Sequence, residues 1–209
     1  MGLRNLEKGK SDYQKANSAD LYIKSGTDKQ SRKCAHFHRR DGYRRAEYHS
    51  LNNSTEAGLT YFIGYEFAMG VIPDSMIVWQ WKEYEANHDG GANIPLAMKT
   101  RDQKLHFEFQ PTNGDKVELW STPVKKQELY TVGIEILAKT DSGYVRLWWN
   151  GEPVTFTSSG SKAVTGNMFP GRSDPKFGTY GGEGMDIDTF VYQVQIGNIK
   201  RDLDGKFMS

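Results

Sequence analysis

Three short segments place long polar or ionisable side chains at alternate positions. They are YRRAEYHS (43–50) with Arg45, Glu47 and His49, IVWQWKEY (77–84) with Gln80, Lys82 and Tyr84, and DPKFGTYGG (174–182) with Lys176, Gly178 and Tyr180. Alternate residues of a β-strand share a face, so each segment predicts a strand with one polar face. If the three strands are neighbours, these side chains line a basic groove that contains tyrosine.

Such a face could bind a carboxylate and move a proton. Arginine can hold a carboxylate with two parallel hydrogen bonds, and glutamine adds a neutral donor. A tyrosine hydroxyl has an ordinary pKa near 10, so it needs a cationic neighbour to act as a base, and Lys176 on the same face as Tyr180 is the candidate. The alternative is the solvent-facing side of ordinary antiparallel strands. The residue choice favours a site, because outer sheet faces are usually richer in Thr, Ser, Lys and Glu.

The elements that would position these residues are short strands. Alternating segments occur throughout residues 34–197 and are separated by turn signals such as Asn150-Gly151. The candidate strands are 34–39, 43–50, 60–68, 76–84, 104–110, 116–121, 129–138, 144–149, 153–157 and 189–197, while 90–103 is interpreted as a loop. Residues 1–33 are polar and lysine-rich and predict a peripheral segment of loop with one short strand. The pattern predicts one all-β domain over residues 1–209, either a sandwich, a barrel or a jelly roll.

The composition and charge of the chain limit the classes of partner that it is expected to bind. The 209 residues carry 27 Lys and Arg against 26 Asp and Glu, a formal net charge of +1, so bulk charge does not favour nucleic acid or an anionic membrane. No apolar run approaches the length of a membrane span, and the N-terminus lacks the apolar region of a secretory signal. A single cysteine, Cys34, excludes an internal disulfide. We expect a monomer that binds neither nucleic acid nor membrane.

The three polar segments resemble motifs of the jelly-roll polysaccharide lyases. Alginate lyases of family 7, the heparin lyase I group and glucuronan lyases share an R-x-E strand, a Q-x-H strand and a late K-x-G-x-Y strand. This sequence has Arg45-Ala46-Glu47, Gln80-Trp81-Lys82 and Lys176-Phe177-Gly178-Thr179-Tyr180 in that order, with Lys82 in place of the histidine. The resemblance implies an all-β jelly roll, a concanavalin A-like two-sheet sandwich with a concave substrate groove.

The resemblance also implies roles for the individual residues. Arg45 and Gln80 would bind the substrate carboxylate, and Tyr180 would be the acid or both the acid and the base. His49 and Lys82 are the candidates for a second proton-transfer group. Glu47 is interpreted as a structural residue that pairs with Arg45 or another basic neighbour. The remaining substrate-binding candidates are Lys176, Lys82, Tyr84 and Arg146.

The implied activity is endo-acting cleavage of a β-1,4-linked uronic-acid polymer, glucuronan or alginate, by β-elimination, which leaves 4,5-unsaturated oligosaccharides. The alternative is a non-catalytic carbohydrate-binding module on the same scaffold. A jelly-roll glycoside hydrolase is disfavoured because the E-x-D-x-E strand motif of laminarinase-like enzymes is absent. A polymeric acidic substrate implies an extracellular location.

No cofactor is expected for this chemistry. Asp186 and Asp188 in GMDIDTF are candidates for a structural calcium ion, which prefers oxygen ligands. His36 and His38 in CAHFHRR share a predicted strand face, but the sequence offers no third ligand close to them. We therefore predict no metal ligands in the site.

Overall fold

The computed structural model describes residues 2–52, 54–84, 93–112, 114–182 and 184–209. The strands in chain order are β1 (Leu3–Glu7), β2 (Tyr13–Gln14), β3 (Leu21–Thr27), β4 (Lys33–Arg39), β5 (Arg45–His49), β6 (Thr60–Met69), β7 (Met76–Glu83), β8 (Leu96–Arg101), β9 (Lys104–Phe109), β10 (Val117–Pro123), β11 (Tyr130–Leu137), β12 (Gly143–Trp149), β13 (Glu152–Pro153), β14 (Val164–Gly166), β15 (Ser173–Gly181) and β16 (Ile187–Gly197). A single 3₁₀ turn, Lys200–Asp202, follows among these residues.

The strands form two antiparallel sheets. The front sheet has the order β10-β9-β8-β7-β15-β5-β1-β2, and the back sheet has the order β13-β12-β11-β6-β16-β4-β3, with β14 paired to β12. Neighbouring strands in each sheet are often far apart in the sequence, as β7 and β15 are. This confirms the predicted all-β sandwich.

The core lies between the two sheets and follows the period of two. In β11, Val132, Ile134 and Ile136 are fully buried, and from the front sheet Trp79 and Trp81 are also fully buried in the same cluster. Large apolar side chains on the inner faces supply most of the driving force for folding. Their polar neighbours along each strand therefore point outward.

Most of the predicted strands are present, with shifts of a few residues at their ends. The predicted strand 153–157 is wrong, because β13 covers only Glu152–Pro153. A second exception is β8, which lies inside the segment 90–103 that the sequence predicts as a loop. Its sequence, LAMKTR, has few β-branched residues, so local propensity is weak. Pairing with β7 on one side and β9 on the other makes it a strand.

The N-terminal residues are more structured than the sequence predicts. β1 and β2 extend one edge of the front sheet, and β3 forms an edge of the back sheet. Leu6 is 1% exposed and Glu7 2% exposed. The predicted short strand is present as β3, but the expectation of only one strand in residues 1–33 is wrong, because β1 pairs along the whole of β5 and β2 pairs with β1.

The predicted Asn150-Gly151 turn is confirmed. Both residues have positive φ, 50° and 86°, as a tight two-residue hairpin requires, and Trp149 pairs with Glu152 across it.

The outer face of the back sheet is partly covered by the end of the described chain. Trp148, on the outer face of β12, forms a small apolar cluster with Leu203, Phe207 and Met208. Phe207 is fully buried.

Candidate active site

The three segments singled out in the sequence are adjacent strands. β15 lies between β5 and β7 in the front sheet, with Lys176 opposite His49 on one side and Gln80 on the other. Tyr180 lies opposite Arg45. The alternate polar side chains of β5, β7 and β15 therefore share the outer face of the front sheet. This is the arrangement that the sequence predicts for neighbouring strands.

Glu47 lies at the centre of this face and is 1% exposed. Its Oε2 is 3.2 Å from Nη1 of Arg45 and 3.8 Å from Nζ of Lys176, and its Oε1 accepts a hydrogen bond of 2.5 Å from Nε2 of Gln80. A buried carboxylate is stable only when it is paired in this way. The expected pairing of Glu47 with Arg45 is present.

Arg45 is held by two carboxylates. Besides Glu47, its Nε is 2.6 Å from Oε2 of Glu7. Burial opposes the charge on Arg45, but the charges of Glu47 and Glu7 outweigh it and hold the pKa of the guanidinium above its ordinary value. The guanidinium also lies 4.1 Å from the ring centroid of Tyr180.

Gln80 lies beneath the polar face, in contact with Glu47. It is fully buried, and its amide donates to Glu47. Contact of Gln80 with a substrate carboxylate stays a prediction. Gln80 fixes the position of Glu47.

Two lysines and a tyrosine form the neighbouring part of the face. Lys176 is 2% exposed, and burial, opposed by Glu47, lowers the pKa of its ammonium to about 8. Burial also lowers the pKa of Lys82, whose ammonium donates to the Glu83 carbonyl and the Asn93 side chain. The Tyr84 ring centroid lies 5.2 Å from Nζ of Lys82 and 5.4 Å from Nζ of Lys176.

His49 is oriented by a buried aspartate. Its Nε2 lies 2.8 Å from Oδ2 of Asp174, and the Thr55 hydroxyl donates to the other oxygen of Asp174 at 2.6 Å. Tyr84 stacks on the imidazole with ring centroids 4.5 Å apart and an interplanar angle of 5°. The carboxylate fixes which ring nitrogen of His49 faces it.

Tyr180 is half-buried, and two arginines contact it. Nη2 of Arg44 donates to its hydroxyl oxygen at 3.2 Å, and Arg45 covers its ring. The cation beside Tyr180 is therefore arginine, and the expected pairing with Lys176 is wrong. Lys176 lies beside His49 and Gln80, four positions earlier on the same strand.

The backbone conformation of β15 explains why residue 178, between Lys176 and Tyr180, is a glycine. Gly178 has φ of +131°, and a Cβ built there would lie 2.6 Å from Cδ1 of Phe37 and would also overlap the Ala46 carbonyl. The pairing of β15 with β7 shifts register between Phe177 and Tyr180. Such a bulge redirects side chains, here at the point where Tyr180 projects.

Sequence reasoning missed three residues of this face, namely Glu7, Arg44 and Asp174. Glu7 lay in the segment interpreted as peripheral, and Arg44 lies outside β5, where alternation no longer applies. Asp174 precedes Lys176 by two positions, so the same alternation that selected Lys176 could have found it.

Arg146 lies elsewhere. It is on β12 of the back sheet, where its Nη1 is 3.3 Å from Oε2 of Glu135 and its guanidinium covers the Tyr144 ring at 5.0 Å. Its assignment to the groove is wrong, because alternation predicts a face of a strand and not the sheet that contains the strand.

The calcium candidates engage separate partners. Asp186 accepts a hydrogen bond from the backbone N–H of Asp41 at 2.9 Å, whereas Asp188 contacts His36 and His38. The calcium site stays a prediction.

A cavity of about 1150 Å³ lies away from the polar face. It opens between the two sheets and is lined mainly by apolar side chains, among them Ile23, Phe37, Tyr48, Phe177 and Val191. None of the predicted site residues lines it.

Comparison with solved structures places the fold. An endo-β-1,4-glucuronan lyase from Trichoderma reesei superposes with a TM-score of 0.65 over 98% of each chain at 16% identity. The fold is that of the jelly-roll polysaccharide lyases. A substrate complex of the family 7 alginate lyase A1-II′ superposes with a TM-score of 0.64 over 94% of this chain and 92% of that chain, at 16% identity.

The alginate lyase from Corynebacterium sp. gives a TM-score of 0.60 over 93% and 92% of the two chains, at 13% identity. No family model and no curated protein matches the sequence. The lyase fold expected from the three motifs is therefore confirmed through structure. In the part of the chain that is described, no helix is long and apolar enough to cross a membrane.

Proposed function

We propose that this protein is a polysaccharide lyase that cleaves a β-1,4-linked polyuronate, glucuronan or alginate, by endo-acting β-elimination. The observation that carries the proposal is the Tyr180 hydroxyl, held by Arg44 and flanked by Arg45, on the outer face of the front sheet of a lyase fold. A proton-transfer group beside fixed cations suits a reaction that develops negative charge.

The reaction removes the proton on C5 of a uronate and breaks the bond from C4 to the glycosidic oxygen. The electron pair of the C5–H bond forms the C4=C5 double bond, and the leaving oxygen takes a proton. The C5 proton becomes acidic only when the neighbouring carboxylate is neutralised. Arg45 and Lys176 are the cations that the polar face offers for this purpose, with Lys82 and Tyr84 beside them.

We favour Tyr180 as both the base and the acid. Arg44 donates to the hydroxyl oxygen that would accept the C5 proton, and the same phenol can return a proton to the leaving oxygen. His49 lies four strand positions away from the row of Tyr180, about 13 Å along the strand. Its Nε2 is occupied by Asp174, and Tyr84 covers its ring.

The test is the ultraviolet absorbance of the C4=C5 double bond during separate incubations with glucuronan, alginate and heparin. We expect absorbance to rise with one of the first two polymers, and Tyr180→Phe to lower kcat by about 10²- to 10⁴-fold. Tyr144→Phe is the matched control, because Tyr144 donates to Glu135 on the back sheet. It should leave kcat unchanged.

Two outcomes would contradict the proposal. Full activity in Tyr180→Phe would remove the proton-transfer role. Binding of a polymer without any rise in absorbance would favour the carbohydrate-binding module instead.

A second pair of variants separates the two bases. If Tyr180 performs both steps, His49→Gln and Asp174→Asn should change KM more than kcat. A loss of kcat in His49→Gln as large as that in Tyr180→Phe would assign the base to His49.

The polymeric substrate supports a further proposal about location. A protein encounters an intact polyuronate chain outside cells, so we propose an extracellular site of action. We also propose that the protein acts as a monomer without a cofactor, which sedimentation and chelator-treated assays can test.

A further inference from the structure

Two histidines and an aspartate converge on the outer face of the back sheet. His36 and His38 are alternate residues of β4, and β16 places Asp188 directly opposite His38. Phe37, between the two histidines, points into the core. The third ligand that the sequence did not offer thus comes from a strand about 150 residues away.

The three side chains present their polar atoms to one point. Oδ1 of Asp188 lies 2.6 Å from Nε2 of His36 and 2.8 Å from Nδ1 of His38. The three atoms all lie within 4.8 Å of one another. Side-chain exposures of 20% for His36, 15% for His38 and 35% for Asp188 leave one side of the group open to solvent.

The surroundings fix these side chains in place. The Tyr22 ring stacks on His38 at 4.8 Å and meets His36 edge-on at 5.1 Å, while Phe190 packs against His36 at 4.8 Å. On the other side of Asp188, a Cβ at Gly70 would lie 3.0 Å from the Asp188 Cβ. Glycine there leaves the aspartate room, so the group is pre-organised.

We propose that His36, His38 and Asp188 bind a divalent first-row transition metal ion, for which Zn²⁺ is the probe. Two imidazole nitrogens and one carboxylate oxygen form a donor set that such ions prefer, and calcium, which takes oxygen ligands, does not match it. Solvent completes the coordination on the exposed side.

Binding an ion requires the three side chains to adjust. Zn²⁺ bonds of about 2.0–2.2 Å put the ligand atoms of a tetrahedral site about 3.3 Å apart. The histidine nitrogens, now 2.6 and 2.8 Å from Oδ1 of Asp188, must therefore withdraw from that oxygen. They must also approach each other, because the three atoms now span up to 4.8 Å. The ion would join β4 to β16 and stabilise the folded chain, because the unfolded chain does not assemble the site. This inference is independent of the proposed lyase activity, which concerns the opposite face of the sandwich.

The test uses the full chain after dialysis against EDTA and then metal-free buffer. Titration with ZnCl₂, followed by calorimetry, should give one saturable site. At about 100 times the dissociation constant, the midpoint of thermal unfolding should rise by about 5 °C or more. Co²⁺ should give the visible absorption of a low-coordinate nitrogen and oxygen site.

His38→Gln and Asp188→Asn should each weaken Zn²⁺ binding by about 100-fold or more. His106→Gln is the matched control, because His106 also contacts a carboxylate, Glu118 at 2.6 Å, but has Arg101 and not a second histidine beside it. Circular dichroism checks that each variant folds.

The proposal is overturned if the unmodified chain shows no saturable Zn²⁺ binding, which would leave a hydrogen-bonded His-Asp-His group only. Equal affinity in Asp188→Asn and the unmodified chain would also overturn it. The Co²⁺ spectrum of the unmodified chain keeps the test decisive even if a variant fails to fold.

Discussion

At the scale of single residues, the polar face of the front sheet is organised around one buried carboxylate. Glu47 accepts from Gln80 and pairs with Arg45 and Lys176, and Arg45 pairs in turn with Glu7. Removing one charged member leaves an uncompensated buried charge, which is far more costly than losing an exposed ion pair. The network therefore holds the charged groups in place before any ligand arrives.

Lys176 should titrate well below an ordinary lysine. Burial lowers the pKa of its ammonium from 10.5 to about 8, because the charged form loses hydration that Glu47 only partly replaces. Carbon-13 NMR of the lysine ε-carbons, with the Lys176 signal assigned from Lys176→Arg, should show one titration near pH 8. A Lys176 signal that titrates near 10.5 would contradict this.

The sign of the accompanying stability change follows from the same shift. Between pH 8 and 10.5 the unfolded chain carries more protons at this position than the folded chain, so the Lys176 contribution to the free energy of unfolding rises with pH across that window. If the charged lysine binds a uronate carboxylate, KM should rise above pH 8. Lys176→Arg, which keeps its charge, should suppress that rise.

At the scale of elements, residues at or near the ends of strands position the side chains of the site. β1 delivers Glu7 to Arg45, and the bulge in β15 turns Tyr180 toward Arg44. The residues after Tyr180 are held from the back sheet, where the buried Arg39 side chain donates to the carbonyls of Gly181 and Gly182. Both sheets therefore determine where Tyr180 lies.

Gly178→Ala should destabilise the fold. Its φ of +131° is strained for a residue with a side chain, and the new Cβ would meet Phe37 and the Ala46 carbonyl. We expect a loss of at least about 2 kcal/mol in the free energy of unfolding, measured by urea denaturation. Gly26→Ala, in β3 with open space at its Cβ, should change it by less than about 0.5 kcal/mol. Equal stability of the two variants would show that Gly178 is not constrained.

At the scale of the whole molecule, the sandwich buries its core between the sheets and a smaller cluster behind the back sheet. The two core-facing surfaces carry Trp79, Trp81, Phe67 and Ile134, all fully buried. Behind the back sheet, Phe207 packs over Gly64, where a Cβ would lie 2.6 Å from its ring. Gly64 of β6 thus leaves the space in which the Phe207 ring packs.

Phe207→Ala should lower stability as a core truncation does. The ring is fully buried against Trp148 and Met208, so its removal should cost about 3 kcal/mol and lower the unfolding midpoint by about 6 °C or more. Differential scanning calorimetry measures this. Leu129→Ala, at an apolar residue 37% exposed, should change the midpoint little. A similar small change in Phe207→Ala would mean that the segment does not stabilise the sandwich.

The sequence by itself determined the fold class and the faces of individual strands. The period of two in 43–50, 77–84 and 174–182 placed Arg45, Glu47, His49, Lys82 and Lys176 on outward faces, because strand alternation is a local property. The lyase fold was predicted from the resemblance of the three motifs to those of the jelly-roll polysaccharide lyases. The Asn150-Gly151 turn was equally local.

Only the tertiary structure decided which faces meet and which charges pair. Glu7 with Arg45, Asp174 with His49 and Asp188 with His36 join residues from 38 to 152 positions apart. The same long-range pairing assigned Arg146 to the back sheet and made β8 a strand despite its weak propensity. Strand partners are selected by the summed burial of a whole sheet, so no single segment of sequence contains that information.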